Sequence, residues 1–245
     1  MNEDRDGEKN NGRDITRRNF LRKTGIAGLG LTSLSALSSS APALAQPTTE
    51  VTFATSNMPS SLEPHLNGAD IWQRRKPMMY ENLTRIGYDL LPKPELAKSW
   101  NRQSPTEYVF NLREGVKFHD GSEFTAEDAK YTYERILDPD VGSGGAGDLR
   151  FIDTIEVMDK YTVKFSLTDE IATDLFLLNL GGKYNGIIPK GYLPEKTSRK
   201  LSNEAMGTGP YRVVDFSPNE KIVLEKFGEY WQSDKPRPDR IIYRN

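Results

Sequence analysis

The sequence contains no cysteine among its 245 residues. No disulfide framework can therefore stabilise the fold, and we expect no lipid anchor attached to a cysteine. Histidine is almost as scarce, since only His65 and His119 are present. Two histidines far apart in the chain, without a thiol, make a poor set of metal ligands. We therefore predict no metal ligand and no cofactor.

An excess of charge of one sign is also lacking, because 33 Lys/Arg stand against 35 Asp/Glu and the net charge is −2. Nucleic-acid-binding proteins concentrate positive charge on one face, so this balance argues against nucleic acid as a partner. The basic residues 74–76 are interpreted as a solvated helix end. Long hydrophobic runs are missing too, since the apolar stretch 25–37 is too short and too polar to span a bilayer permanently.

The first 45 residues contain the three parts of an export signal in the usual order. Arg17 and Arg18 form a twin-arginine motif, residues 25–37 form a weakly apolar core, and Ala-Leu-Ala at 43–45 is a small-residue cleavage site before Gln46. We predict a twin-arginine signal peptide at residues 1–45 and a periplasmic or extracellular location. A disordered tail ahead of an amphipathic helix is the alternative.

The remaining residues predict a mixture of strands and a few helices. A β-rich run at 51–54 leads into a polar loop, and alternating apolar residues at 108–112 predict a strand with one apolar face. A helix is predicted from an N-cap at Thr125 to a stop at Asp138. We expect another helix in the second half of 71–83, after Pro77. The buried stripe predicted for the first of these helices is Ala129, Tyr133, Ile136 and Leu137.

Turn chemistry predicts two hairpins and a loop. Alternating patterns predict one hairpin at 154–167 and another at 211–227, and the chain closes with a strand at 240–243. The glycine-rich run 142–147 could in principle hold phosphate through its backbone, but it follows a helix and lacks the Lys-Ser/Thr of a P-loop. A flexible surface connection is the preferred interpretation.

Several motifs follow one another in register between Val51 and Tyr243. They are Tyr80-Glu81-Asn82-Leu83, Pro94-Glu95-Leu96-Ala97-Lys98-Ser99-Trp100, the block Tyr108–Gly121, Phe124-Thr125-Ala126-Glu127-Asp128, Gly207–Tyr211 and Glu229-Tyr230-Trp231. Each motif alone is weak, but together they carry a family resemblance. The sequence resembles periplasmic solute-binding proteins of the oligopeptide, dipeptide and nickel class, which serve ABC importers.

The resemblance implies an α/β fold of two lobes that close on a ligand. We expect residues 46–245 to form the first lobe, a periplasmic-binding-protein-like mixed sheet with flanking helices plus a small β-rich subdomain. Family members are about twice as long, so the second lobe is expected to be absent from this chain. One departure is Glu63, which stands where the family commonly has aspartate in a Leu-Asp-Pro motif.

The resemblance also implies binding without chemistry. A peptide or related small solute would dock in the cleft, be buried by hinge closure and be delivered to ABC permease subunits, with the full-length protein a monomer. The loop after the first strand, Ser56, Asn57 and Met58, is predicted to contact the ligand, and Trp72 to stack on it. A turn-forming role for Asn57, and core packing for Met58 and Trp72, are the alternatives.

Two other classes of function are compatible with the sequence. Many twin-arginine substrates are enzymes, so an exported hydrolase is one alternative, although no Gly-x-Ser-x-Gly motif occurs and His119-Asp120 is interpreted as part of a turn. A non-transporting sensor or binding module on the same fold is the other.

Overall fold

The computed structural model describes residues 49–66 and 74–245, so the predicted export signal and Trp72 lie outside the described residues. This part of the chain contains ten strands, three α-helices and two short 3-10 helices, at Lys76–Met78 and Lys200–Ser202. The strands are β1 (Glu50–Ala54), β2 (Thr84–Ile86), β3 (Pro92–Pro94), β4 (Ala97–Ser104), β5 (Glu107–Leu112), β6 (Ile152–Asp159), β7 (Thr162–Leu167), β8 (Tyr211–Ser217), β9 (Lys221–Lys226) and β10 (Arg240–Arg244). The helices are α1 (Ala126–Leu137), α2 (Ala146–Leu149) and α3 (Thr173–Leu180).

A mixed four-stranded sheet joins the two ends of the described chain. Its strand order is β1-β10-β9-β8, in which β1 and β10 are parallel and the other neighbours are antiparallel. The predicted hairpin at 211–227 is confirmed as β8 and β9, and the predicted closing strand as β10. One apolar core lies against this sheet and includes Met58, Leu62, Met79, Tyr80 and Leu224.

A second, antiparallel sheet has the order β4-β5-β7-β6 and contains the predicted hairpin at 154–167. The alternation predicted at 108–112 is confirmed, because Tyr108, Phe110 and Leu112 are fully buried. Rings pack closely in this core, and the centroids of Phe110 and Phe165 are 5.4 Å apart. Helices α1 and α3 contribute buried residues to the same core. This antiparallel sheet therefore packs on the larger of the two apolar cores.

Helix α1 begins and ends where the sequence predicted. The Thr125 backbone N–H and hydroxyl both donate to the Asp128 carboxylate, at 2.7 and 2.9 Å, and Asp138 is the C-terminal cap. The predicted stripe is buried at Ala129, Tyr133 and Ile136, whereas Leu137 is half-buried. This helix is thus specified by local signals that agree with its packing.

The prediction of a helix before Leu83 was wrong. Only the 3-10 turn Lys76–Met78 forms, with Pro77 inside it. Beyond it the backbone of residues 81–83 bonds to distant segments, because Ile187 N–H donates to Glu81 O at 2.9 Å and Leu96 N–H donates to Asn82 O at 3.1 Å. These long-range hydrogen bonds occupy the carbonyl groups that a helix would have used.

The glycine-rich run contains local structure as well as exposed glycines. Helix α2 begins within it, at Ala146, and the Gly145 N–H donates to the Ser143 hydroxyl at 3.1 Å. A side chain at Gly144 would come within 2.5 Å of the Tyr184 ring. Packing against the Tyr184 side chain therefore favours a small residue at Gly144, whereas a side chain at Gly147 would meet nothing within 4 Å.

Candidate solute-binding site at the carboxyl ends of β1 and β10

The candidate site lies where two parallel strands end together. Strand β1 pairs with β10 in the register Phe53↔Tyr243 and Ala54↔Arg244, and the Thr55 N–H donates to Arg244 O at 2.9 Å. In open α/β sheets, ligands bind outside the carboxyl ends of parallel strands. The polar loop that follows β1 starts at this edge of the sheet.

Aromatic rings from the two strands stack at this edge. The ring centroids of Phe53 and Tyr243 are 5.2 Å apart with an interplanar angle of 17°, and 46% of the Phe53 side chain is exposed. The Arg75 guanidinium carbon lies 4.8 Å from the centroid of the Tyr243 ring, a cation–π arrangement. Together with Thr55 and Arg74 these residues line an opening of about 240 Å³.

Arg75 ties the loop after β1 to the stacked rings. Its Nη2 donates to the Thr55 hydroxyl at 3.1 Å and its Nη1 donates to the Asn57 carbonyl at 3.3 Å. The guanidinium is largely removed from water, and this desolvation lowers the pKa of Arg75. Burial likewise raises the pKa of Tyr243. The loop backbone is therefore held by a cation, while its side chains remain available to a solute.

The prediction that residues 74–76 form a solvated helix end is only partly correct. Arg74 is exposed, but Arg75 and Lys76 are 5% and 3% exposed. Each buried cation has oxygen acceptors, because Arg75 reaches Thr55 and Asn57 while the Lys76 ammonium donates to the Lys183 carbonyl at 2.7 Å. Pairing with backbone and hydroxyl oxygens replaces hydration and allows these side chains to be buried.

The four residues predicted to contact ligand occupy different environments. Ser56 and Asn57 are exposed and directly follow Thr55, which lines the opening, and their side chains make no hydrogen bond within the part of the chain that the structure describes. Met58 is 6% exposed and packs in the core beneath the mixed sheet, with Met79. Trp72 lies outside the described residues. The ligand-contact role of all four residues stays a prediction.

Sequence reasoning missed the residues that frame this opening: Phe53, Thr55, Arg75 and Tyr243. The signal that could have found the aromatic pair is the similarity between Val51–Ala54 and Arg240–Tyr243, two short β-rich runs able to lie side by side. Arg75 gave no such signal, because three adjacent basic residues are typical of a solvated surface.

A buried ionic cluster joins the segment after the β1 loop, at Glu63 and His65, to Arg135 of helix α1. The Arg135 guanidinium contacts both Glu63 oxygens and His65 Nδ1, and the side chains of Arg135, Glu63 and His65 are 0–1% exposed. His65 Nε2–H donates to the Gly186 carbonyl at 2.8 Å. Burial, and then the Arg135 charge, lower the pKa of His65 well below its usual value. His65 is therefore neutral and accepts from Arg135 through Nδ1.

The second histidine belongs to a turn, as predicted. Gly121 N–H donates to Phe118 O at 2.9 Å, and Gly121 has φ +87°, which favours glycine. His119 Nε2 bonds the Gly209 carbonyl at 2.9 Å, and burial lowers the pKa of His119 to about 4. Within residues 49–66 and 74–245, no three acidic or histidine side chains gather in a group that could hold a metal.

Sequence and structure comparisons agree on one family. The sequence profile of the bacterial extracellular solute-binding proteins, family 5, matches residues 92–245. The chain belongs to this family. The helices between Thr49 and Asn245 that the structure describes are all too short or too polar to cross a membrane.

Individual relatives are binding proteins. The chain is 28% identical to the dipeptide-binding protein DppE of Bacillus subtilis, with 76% of this chain and 37% of DppE covered. It is 30% identical to the glutathione-binding protein GsiB of Pectobacterium atrosepticum, with 76% of this chain and 36% of GsiB covered. The chain thus spans less than half the length of these relatives.

Solved structures show the same fold. The binding protein AgaA of A. tumefaciens R10, in complex with agropinic acid, has a TM-score of 0.73 at 29% identity, covering 80% of this chain and 39% of AgaA. DppA of Helicobacter pylori, in complex with the peptide STSA, has a TM-score of 0.71 at 28% identity, covering 81% of this chain and 43% of DppA. The predicted periplasmic-binding-protein-like α/β fold is confirmed.

Proposed function

We propose that this chain provides one wall of the solute-binding cleft in the substrate-binding component of an ABC importer, with a peptide or a related small solute as ligand. The observation that carries the proposal is the opening at the carboxyl ends of β1 and β10, which Phe53, Thr55 and Tyr243 line and which the exposed residues Ser56 and Asn57 follow directly in the chain. Relatives named for binding dipeptides and glutathione support this ligand class.

The arrangement suits an extended, polar ligand that is not transformed. Asn57 offers an amide that can donate to a peptide carbonyl and accept from a peptide N–H. The face of Phe53 can pack against an apolar side chain of the ligand. Closure of a second wall over the opening would bury the solute, and the closed form would be delivered to permease subunits in the membrane.

A solute-binding component works outside the cytoplasm, so this chain would have to be exported. We infer that residues 1–45 act as a twin-arginine signal, that residues 46–245 work as the first lobe in the periplasm or outside the cell, and that the complete protein is a monomer. The order of the arginine pair, the apolar segment and the Ala-Leu-Ala site supports the export step.

The test is a titration of the ¹⁵N-labelled chain with the dipeptide Ala-Ala and with glutathione, followed by amide chemical shifts. One wall of a cleft should bind weakly, with Kd on the order of 1 mM or about −4 kcal/mol. We expect the largest shift changes at Phe53, Thr55 and Asn57. Asn57→Ala and Phe53→Ala should each weaken binding several-fold.

Met158→Ala is the matched control, because Met158 is an exposed apolar residue of β6, on the other sheet. It should leave the titration unchanged. The proposal fails if neither probe moves the amides at the opening, or if Asn57→Ala and Phe53→Ala bind as the unmodified chain does.

A further inference from the structure

A second cavity lies apart from the opening at β1 and β10. Its volume is about 540 Å³, and it is bounded by the 3-10 turn at Lys76, strand β2 and the glycine loop 181–183. It shares no lining residue with the first opening. This volume lies within the usual range of small-molecule sites, roughly 300–1,000 Å³.

A buried ammonium group forms one side of this cavity. Lys76 is 3% exposed, and its Nζ donates to the Lys183 carbonyl at 2.7 Å. Within the described chain no carboxylate oxygen lies within 4 Å of Lys76 Nζ. Desolvation lowers the pKa of Lys76 to about 7, with Glu95 acting in the opposite direction. A carboxylate from a ligand would stabilise the charged form of this amine, so the lining favours an anionic ligand.

An unsatisfied acceptor lies in the same lining. Asn82 is 9% exposed; its Nδ2 donates to the Gly182 carbonyl at 3.3 Å and its backbone N–H donates to Glu95 Oε2 at 2.7 Å. Its Oδ1 is buried and accepts no hydrogen bond within residues 49–66 and 74–245. Buried carbonyl oxygens in native proteins nearly always accept a hydrogen bond, so we expect Asn82 Oδ1 to accept one from a bound molecule.

The overall charge of the lining is positive. Arg85 and Lys183 join Lys76, while Glu95 is the one acidic residue among the described residues of the lining. Burial, and then the neighbouring Glu81, raise the pKa of Glu95 to about 8, so its carboxyl group is mostly protonated at pH 7. The edge of the cavity is apolar, because Tyr88 is fully exposed and Ile86 is 50% exposed.

We propose that this cavity binds a small carboxylate that carries a hydroxyl or ammonium donor next to its carboxyl group and a short apolar side chain. The ligand carboxylate would pair with Lys76 and Arg85, and its neighbouring donor would satisfy Asn82 Oδ1. The apolar side chain would pack on Ile86 and Tyr88. This site shares no lining residue with the opening at β1 and β10, and the inference does not rest on the proposed function.

Four matched probes test the assignment by calorimetric titration of the full chain at pH 7. 2-Hydroxy-4-methylpentanoate and leucine carry both the carboxylate and the donor, 4-methylpentanoate lacks the donor, and leucinamide lacks the carboxylate. We expect at least one of the first two to bind about tenfold more tightly than 4-methylpentanoate, and leucinamide not to bind. The stronger of the first two identifies whether a hydroxy acid or an amino acid is preferred.

Substitutions locate the binding. Lys76→Met and Arg85→Ala should each weaken binding about tenfold or more. Lys76→Met keeps the length of the side chain but leaves the Lys183 carbonyl without its donor, so its unfolding free energy is measured first, and Arg85→Ala at an exposed position tests the site independently. Arg212→Ala is the matched control, an exposed arginine of β8 that does not line the cavity and belongs to a different sheet from β2.

The protonation of Lys76 on binding provides a second measurement of the same site. An anion held by Lys76 raises the pKa of that ammonium, so binding near pH 8 should take up protons, detected as different heats in buffers of different ionisation enthalpy. Affinity should fall from pH 7 to pH 9, as Lys76 loses its proton and Glu95 ionises, while Arg85 and Lys183 stay charged. The proposal is overturned if no carboxylate probe binds, if leucinamide binds equally well, or if Lys76→Met and Arg85→Ala leave the affinity unchanged.

Discussion

The guanidinium of Arg135 donates to both carboxylate oxygens of Glu63, at 3.0 and 3.3 Å, and both side chains are buried. This pair joins the segment that follows the candidate site to helix α1. Removing one partner of a buried ion pair leaves an uncompensated charge and costs about 3–5 kcal/mol. Glu63→Ala should therefore lower the free energy of unfolding by about that amount, measured by urea denaturation.

The exposed pair Arg212–Glu225, at 3.5 Å, provides the control. Glu225→Ala should cost about 0–1 kcal/mol, because water screens that pair. Equal losses for Glu63→Ala and Glu225→Ala would contradict the role assigned to the buried pair. Glu63→Asp restores the residue common in the family motif, and we expect an intermediate loss because a shorter carboxylate cannot keep both hydrogen bonds without movement of the backbone.

Gly207 is required by a close approach of two backbone segments. A Cβ at this position would lie 2.3 Å from the Met79 carbonyl oxygen, where no flexible side chain can move aside. We predict that Gly207→Ala destabilises the fold by about 1–3 kcal/mol, the cost typical of overpacking. Gly228→Ala is the control, since a Cβ there meets nothing within 4 Å. Thermal unfolding of both variants checks this, and similar losses would count against the steric explanation.

Local patterns were sufficient for much of this fold. The alternation at 108–112, the hairpins at 154–167 and 211–227, and the cap at Thr125 each depend on neighbours in the sequence, so they could be predicted. The extended segment 81–83 could not, because its backbone partners lie at Leu96 and Ile187. Hydrogen bonds between distant segments leave no periodic signal and can outweigh a helix-compatible pattern.

In the candidate site, too, features that depend on sequence neighbours could be predicted and features that depend on distant segments could not. A polar loop after the first strand was visible in the sequence, so Ser56 and Asn57 were placed at a surface that a solute can reach. The stacking of Phe53 on Tyr243 depends on the register of two strands from opposite ends of the described chain. The cation–π contact of Arg75 depends on that register in turn, so sequence alone pointed to the loop and not to the residues that hold it.

The histidines make stability depend on pH in a defined direction. Burial lowers the pKa of His119 to about 4, below the ordinary value of 6.5, so the unfolded chain binds a proton in this interval that the folded chain does not. Stability from this group is complete above pH 6.5 and is lost as the pH falls toward 4. His65, whose pKa is also lowered, acts in the same direction.

Glu95, whose pKa is raised to about 8, acts in the opposite direction and stabilises the fold as the pH falls. We therefore expect the change in urea midpoint from pH 7 to pH 5 to be more negative in the unmodified chain than in His119→Gln. Glutamine cannot take up this proton, and its amide can still donate to the Gly209 carbonyl that His119 contacts. An unchanged slope of the midpoint against pH in His119→Gln would show that His119 does not contribute.

Substitution of the adjacent residues Asn57 and Met58 should change the unfolding free energy to very different extents. Met58 is buried beside Met79 and Leu62, so Met58→Ala leaves a cavity and should cost about 2–5 kcal/mol of unfolding free energy. Asn57→Ala should change stability by less than about 0.5 kcal/mol, because the side chain is exposed and its backbone carbonyl, which Arg75 contacts, is retained.

The binding experiment then separates packing from contact with the solute. With dipeptide present, Asn57→Ala should reduce the amide shift changes at the opening, whereas Met58→Leu, which keeps the buried volume, should leave them intact. If Met58→Leu abolishes binding while its unfolding free energy is unchanged, Met58 contacts the ligand directly, as the sequence predicted. Retained binding would assign Met58 to the core that supports the loop.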